Sequence, residues 1–225
     1  MDSAKNNIRS ILNSQKTKWE AVFSEWKDIF GKDPSIPGIE AAEYYSKHGF
    51  SKILELGCGS GRDTIYFARK GFRVDACDYS GKALKLLEKE LDKQNLSSLV
   101  KLHKLDFNKP LPFDSNCFDA CFSHMLYCMA FDDDDLKILS KNIHKVLKPE
   151  GINIYTVRNN NDPHFGKGKH IKDDIYEYEG FIVHFFAKDK TGLLSEGFEN
   201  LDISQFEEGK LPRKLYLVIQ KKVVT

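Results

Sequence analysis

Long apolar runs are missing from this chain, and no hydrophobic stretch approaches the roughly 18 residues that a membrane-spanning helix needs. The first residues also lack the apolar core of a signal peptide. A surplus of one charge is missing too, because 34 basic and 33 acidic side chains leave a net charge of +1. A dedicated nucleic-acid binder needs a basic excess to neutralise phosphates. We therefore expect a cytoplasmic protein with neither a membrane nor a nucleic acid as partner.

Cysteine is scarce, and its five residues lack the spacing of a secreted disulfide scaffold. An odd, irregular set of this kind is typical of a reducing compartment. Cys117, Cys121, His124 and Cys128 lie close together in the sequence. A strand points alternate residues to opposite faces, however, so these four side chains would not converge on one metal ion. We expect no metal site.

Short apolar segments alternate with amphipathic helical segments between residues 52 and 157. This alternation predicts an α/β fold whose parallel sheet is covered by helices on both faces. Further along, a turn at 207–210 separates two strand-like segments, which predicts an antiparallel pair. The other predicted elements are a hairpin from Ile175–Tyr178 and Phe181–Phe186, a helix over Lys188–Glu196, and one or two helices within the first 30 residues.

The segment Ile53-Leu54-Glu55-Leu56-Gly57-Cys58-Gly59-Ser60-Gly61 carries the strongest functional signal. Glycines at alternate positions permit positive φ and close approach of a ligand to the backbone. The helix that follows offers unpaired N–H groups and the positive end of its dipole. In a dinucleotide-binding fingerprint the third glycine comes one residue later. The carboxylate of Glu55 would also repel a pyrophosphate.

This segment resembles motif I of the class I S-adenosylmethionine (SAM) methyltransferases, an acidic residue followed by Gly-x-Gly-x-Gly. By order of elements the resemblance covers residues 50–222. It implies a Rossmann-like, seven-stranded, mostly parallel sheet with strand 7 antiparallel between strands 5 and 6. It also implies SAM as cofactor, S-adenosylhomocysteine as product, a helical lid at residues 1–48 and a methyltransferase domain at 49–225. Gly61-Arg62-Asp63-Thr64 is similar to the tellurite-resistance and thiopurine methyltransferases.

Acidic residues at the ends of the predicted strands are candidates for holding the cofactor. Asp78 ends strand 2, where a carboxylate accepts hydrogen bonds from ribose hydroxyls. The resemblance implies that Tyr79 lies against adenine, and that Asp106 and Phe107 bind its amino group and ring. Asp106 could instead cap a turn, and Asp63 either meets the methionine ammonium or simply favours the first helical turn. The full set is Glu55, Gly57, Cys58, Gly59, Gly61, Asp63, Asp78, Tyr79, Asp106, Phe107 and Ser123.

The acceptor pocket is expected over the carboxyl ends of strands 4 and 5. His124, after strand 4, is the candidate general base because histidine titrates near neutrality. A histidine that packs beside the cofactor or caps a turn is the alternative. Arg158 is the second catalytic candidate, beside a long loop that could equally be a solvated surface. The substrate candidates are Trp19, Tyr127, His164, His170, Tyr176 and His184, although the helix of Trp19 could simply pack on the sheet.

Together these patterns predict a monomeric or homodimeric methyltransferase with a small-molecule acceptor. An O, N or S nucleophile would attack the methyl carbon in line with the departing sulfur. A methyltransferase of RNA or protein, contacting its acceptor through Lys167 and Lys169, is the first alternative. A non-catalytic SAM-binding module is the second. The glycine spacing and Glu55 argue against a third, an NAD-type dehydrogenase.

Overall fold

The computed structural model describes residues 2–26, 29–209 and 213–223. Its helices are α1 (Asp2–Glu25), α2 (Ile36–Lys47), α3 (Arg62–Arg69), α4 (Gly81–Lys93) and α5 (Asp133–Val146), with a short 3-10 helix at Asp189–Leu194. Its strands are β1 (Lys52–Leu56), β2 (Arg73–Asp78), β3 (Val100–Lys104), β4 (Phe118–Ser123), β5 (Leu147–Arg158), β6 (Lys169–Lys172), β7 (Ile175–Tyr178), β8 (Phe181–His184), β9 (Phe198–Glu208) and β10 (Arg213–Lys222).

Seven strands form the main sheet in the order β3-β2-β1-β4-β5-β10-β9. The first five are parallel to one another, and β10 pairs antiparallel with both β5 and β9. This confirms the predicted Rossmann-like sheet and its inserted antiparallel strand. β9 therefore runs parallel to β5, so both end at the edge of the sheet where β1–β4 also end. We call this edge the carboxyl edge.

The core consists of two apolar layers, one on each face of the main sheet. Leu54 and Leu56 of β1 point into a layer shared with α5 and the 3-10 helix. Ile53, which comes directly before Leu54, points into the other layer with residues of α2, α3 and α4. Burial of both faces explains why β1 and β4 are almost continuously apolar.

Strands β6, β7 and β8 form a separate antiparallel sheet. The hairpin predicted at 175–186 is confirmed as β7 and β8, paired from Ile175 with His184 to Tyr178 with Phe181. Leu12 of α1 packs against Ile175 and Ile182 of this small sheet. The small sheet is thereby joined to α1 by apolar contact.

Some predicted elements were wrong in type or extent. The helix expected at Lys188–Glu196 is a 3-10 helix containing Gly192, a residue that disfavours α-helix. Strand β6, which pairs antiparallel with β7, was not predicted. Strand β5 begins at Leu147, earlier than expected, because Pro149 ends the helix and favours extended backbone before it. Residues 210–212 of the predicted turn and last strand lie outside the described residues.

The amino-terminal segment forms one helix that ends at Glu25, and Trp26 just beyond it is 63% exposed. Within the described residues, no helix has the length and apolar character that crossing a membrane requires.

Candidate active site

The glycine loop between β1 and α3 has the shape that its sequence predicted. Gly57, Gly59 and Gly61 have φ of 74°, 54° and 89°. A Cβ on Gly61 would lie 2.1 Å from Leu87 Cδ1, so close packing of α4 requires glycine there. A Cβ on Gly59 would lie 3.3 Å from the Phe23 ring of α1. The absence of a side chain at Gly59 thus lets the Phe23 ring of α1 pack on the loop backbone at the carboxyl edge.

Asp78 joins the end of β2 to this loop. Its Oδ2 accepts a hydrogen bond from Gly59 N at 2.9 Å, and its Oδ1 accepts one from Ser80 N at 2.8 Å. Burial raises the pKa of this carboxyl to about 6, although the backbone donors oppose the shift. The Asp78 carboxyl therefore lies beside the glycine loop, where the sequence predicted a ribose contact.

Two further acidic residues lie buried below the loop. Glu55 Oε2 accepts a hydrogen bond from Thr64 Oγ1 at 2.6 Å, and burial, with the charge of Asp63, raises its pKa to about 8. Asp63 accepts from Ser35 N at 2.7 Å and from Ser35 Oγ at 3.0 Å. Asp63 thus fixes the start of α2, instead of facing the loop as a methionine-ammonium contact would require. The concentration of acidic groups suits a ligand with cationic centres and opposes a pyrophosphate.

Helix α1 contacts each of the three segments that were predicted to hold a cofactor. Phe23 packs on Gly59 of the glycine loop, as described above. Glu20 accepts hydrogen bonds from Gly81 N at 2.8 Å and from Ser80 Oγ at 3.0 Å, beyond β2. Lys16 Nζ donates to Asp106 Oδ2 at 2.7 Å, beyond β3. The carboxylate expected to meet adenine is therefore paired with a lysine in this structure.

The remaining cofactor candidates differ in their surroundings. Phe107 and Cys58 are buried within the two core layers, and burial raises the pKa of Tyr79. Ser123, at the end of β4, is fully buried, and its Oγ has no hydrogen-bond partner among the described residues. An unpaired buried hydroxyl costs free energy, so this oxygen is suited to contact a bound ligand.

His124 lies at the carboxyl edge between two partners. Its Nε2 donates to Glu208 Oε2 at 3.0 Å, and its Nδ1 lies 2.9 Å from Thr156 Oγ1. Glu208 Oε1 accepts a second hydrogen bond from Arg62 Nη2 at 3.0 Å. Burial acts to raise the pKa of Glu208, but the contacts with His124 and Arg62 outweigh it and lower that pKa to about 2. The predicted base thus belongs to a four-residue hydrogen-bond network.

Arg158, the last residue of β5, is held by Asp162 of the loop that follows this strand. Its Nε donates to Asp162 Oδ2 at 2.9 Å, and its Nη2 donates to Asp162 Oδ1 and to His164 Nδ1 at 2.8 Å. The guanidinium is buried and also lies over the Phe185 ring. Since Asp162 neutralises its charge, Arg158 orders the loop, and the predicted catalytic role has no support in this geometry.

Of four other acceptor candidates, Tyr127 and His184 are buried, Tyr176 is partly buried and His170 is exposed. Tyr127 is buried against Tyr155, with ring centroids 4.6 Å apart. His184 is fully buried, with Nδ1 2.9 Å from the Phe131 carbonyl, because β8 lies under the start of α5. His170 contacts Tyr176 on the small sheet, at 5.0 Å between centroids. Of the predicted acceptor residues, Trp19 lies beside Phe23 of α1 and contacts Phe181, which begins β8.

Sequence reasoning missed Glu208, Thr156, Lys16 and Glu20. Glu208 was taken only as part of a polar turn, and 84 residues separate it from His124. The i, i+4 spacing of Lys16 and Glu20 does predict that they share one helix face. It does not predict which residues of the sheet that face contacts.

Comparison with known proteins is consistent with this geometry. Residues 53–151 match the family model described as Methyltransferase domain. Glycine N-methyltransferase of Mus musculus is 28% identical over 128 residues, 50% of this chain and 42% of that protein. Malonyl-[acyl-carrier protein] O-methyltransferase of Hamiltonella defensa is 30% identical over 108 residues, 47% of this chain and 37% of that protein. The chain thus spans less than half the length of these curated relatives.

The fold has solved counterparts as well. The 1,6-didemethyltoxoflavin-N1-methyltransferase of Burkholderia thailandensis, solved with S-adenosylhomocysteine, aligns with a TM-score of 0.72 at 17% identity. That alignment covers 97% of this chain and 90% of the other. The family match runs from β1 into β5 and contains the whole glycine loop, so this part of the chain is similar to a methyltransferase domain, and the chain has the fold of solved SAM-dependent methyltransferases.

Proposed function

We propose that this protein transfers the methyl group of SAM to the O, N or S atom of a small-molecule acceptor. The observation that carries the proposal is the hydrogen bond between the glycine loop and Asp78, in which Gly59 N donates to the carboxylate at 2.9 Å. SAM supplies an electrophilic methyl carbon whose bond to sulfur breaks as the acceptor's bond forms, the electron pair passing to sulfur. The protein's task is then to align the acceptor and to exclude water.

The surroundings of the loop fit SAM. Asp78 is placed to accept hydrogen bonds from the ribose, and the open backbone at Gly59 allows close approach of the cofactor. The free Ser123 Oγ gives a ligand one further hydrogen-bond partner at the end of β4. The Asp78 carboxylate adds negative potential beside a ligand that carries an ammonium and a sulfonium, and Glu55, whose pKa burial raises to about 8, adds more only when it ionises.

We also propose residues 1–48 as a helical lid. Trp19 and Phe23 of α1 cover the carboxyl edge, and the Trp19 ring lies 5.1 Å from that of Phe181. Lys16 Nζ contacts Asp106 Oδ2 at 2.7 Å, so this lysine competes with the adenine amino group for the carboxylate. Phe23 likewise occupies the space beside Gly59, so cofactor entry displaces side chains of α1.

A small acceptor suits an edge that is covered in this way. Glycine N-methyltransferase and the toxoflavin-pathway enzyme are named for small-molecule acceptors, which supports the same class here. The malonyl-[acyl-carrier protein] relative is named for a carrier-bound acceptor, so a protein-linked substrate is the second candidate. The exposed Lys167 and Lys169 would then form part of its contact surface.

Two measurements test the proposal. Calorimetry should detect SAM binding, and its absence would refute the cofactor assignment. Methyl-labelled SAM should then label compounds in metabolite fractions in an enzyme-dependent manner. Salt-sensitive labelling confined to protein or RNA would favour a macromolecular acceptor. Binding without transfer to any fraction would indicate a non-catalytic SAM-binding protein and would overturn the enzymatic proposal.

A further inference from the structure

We propose that Glu208 is a positioning residue, which fixes the orientation and the proton-bearing nitrogen of His124 and links both to the first residue of α3. Its role in catalysis rests on the proposed methyl transfer, whereas its effect on the His124 imidazole does not. Glu208 ends β9, His124 follows β4, and Arg62 begins α3 directly after Gly61. Three distant segments of the chain thus meet in one contact.

The carboxylate of Glu208 is engaged at both oxygens. Oε2 accepts from His124 Nε2 and Oε1 accepts from Arg62 Nη2, each at 3.0 Å. An ionised carboxylate is only an acceptor, so the His124 nitrogen that faces it must carry a proton. The side chains of His124 and Glu208 are 10% and 18% exposed, which limits competition from water.

The opposite side of the imidazole is fixed as well. Thr156 Oγ1 accepts from Met125 N at 2.9 Å and lies 2.9 Å from His124 Nδ1. Met125 has φ 60°, a left-handed conformation that costs a non-glycine residue about 1 kcal/mol. Thr156 therefore holds the strained turn that aims the ring. With Nε2 protonated, Nδ1 is the acceptor nitrogen of the ring, and the Thr156 hydroxyl donates to it.

A neutral amide cannot replace this carboxylate. In Glu208→Gln one acceptor oxygen must serve two donors, while the new NH₂ faces either the guanidinium or His124 Nε2. The first arrangement sets the NH₂ against the donors of Arg62 and is disfavoured, because neither group can accept. The second is therefore expected, and it drives the His124 proton to Nδ1 without removing atoms from the site.

Nitrogen-15 NMR of the histidine rings in the free protein tests the assignment without any methyl acceptor. The wild-type protein at neutral pH should show the His124 proton on Nε2, and Glu208→Gln should move it to Nδ1 or abolish the preference. Glu208→Asp retains the carboxylate and should retain the Nε2 proton. Glu207→Gln is the matched control, because the Glu207 side chain is 57% exposed and faces Lys214.

A wild-type proton on Nδ1, or an unchanged pattern in Glu208→Gln, would overturn the proposal. With an acceptor in hand, Glu208→Gln should lower kcat by about 100-fold, a typical contribution of a positioned base, while the Kd for SAM stays within about twofold. A parallel loss of SAM affinity would point to a merely structural ion pair. Were no methyl transfer found at all, the proposed function would fail while the NMR result stood.

Discussion

Replacing Gly59 by alanine has two separable effects: it strains the backbone, which has positive φ, and it fills space beside the glycine loop. The φ of 54° lies in the left-handed region, where a side chain costs about 1–2 kcal/mol of stability. For a chain of this size that cost corresponds to a fall in Tm of roughly 2–8 °C. The added Cβ would also lie 3.3 Å from the Phe23 ring, on the surface where we place SAM.

The expected loss of affinity follows from that crowding. Forcing a methyl group into a packed contact costs about 1–3 kcal/mol. If SAM lies against Gly59, its Kd should therefore rise roughly 5- to 150-fold. Calorimetry at a temperature well below the lowered Tm measures this change without interference from unfolding.

Gly71→Ala is the matched control. Gly71 has φ 89°, and no atom lies within 4 Å of an added Cβ. This variant should lose similar stability but bind SAM as the wild type does. If Gly59→Ala and Gly71→Ala bound SAM equally well, the placement of the cofactor on the glycine loop would be refuted.

Three further outcomes are expected. Lys16→Met should free Asp106 and lower the Kd for SAM by up to about fivefold, because a partly exposed ion pair contributes roughly 1 kcal/mol. A higher Kd would contradict the proposal that α1 acts as a lid. SAM affinity measured by calorimetry should rise from pH 5 to 7, because burial raises the pKa of Asp78 to about 6 and the ribose hydroxyls donate to the ionised carboxylate. The Asp78→Asn variant should bind SAM weakly, and its affinity should not change over this pH range. Asp162→Asn should lower the free energy of unfolding by about 1–3 kcal/mol in urea titrations, since it leaves the buried Arg158 without its counter-charge. Unchanged stability would return Arg158 to the catalytic candidates.

The fold was largely readable from the sequence because strand and helix order follows from apolar periodicity. The glycine loop could be predicted because few residues other than glycine adopt the positive φ found at Gly57, Gly59 and Gly61. Errors in the fold arose where local geometry was ambiguous, as at Leu147, where Pro149 ends a helix and the strand begins at once.

The partners of charged residues were much less predictable. Asp63 follows β1 and Asp106 follows β3, as the sequence predicted, but they bind Ser35 and Lys16. The sequence does not show where the helices next to Ser35 and Lys16 lie relative to the sheet, so these partners could not be predicted. Arg158 and Asp162 were only four residues apart, but nothing in a loop sequence shows that they pair. Glu208 reaches His124 only because β9 joins the sheet with its last residue at the carboxyl edge. That position follows from the strand order of the sheet and not from the local sequence around Glu208.

The position of β10 between β5 and β9 imposes an order on assembly. β9 precedes β10 along the chain but is attached to the rest of the sheet only through β10, which pairs with β5. The parallel half that carries the glycine loop, Asp78 and His124 can therefore assemble on a ribosome before Glu208 arrives. Completion of the imidazole network should be among the last steps of folding, after the donor-binding half has formed.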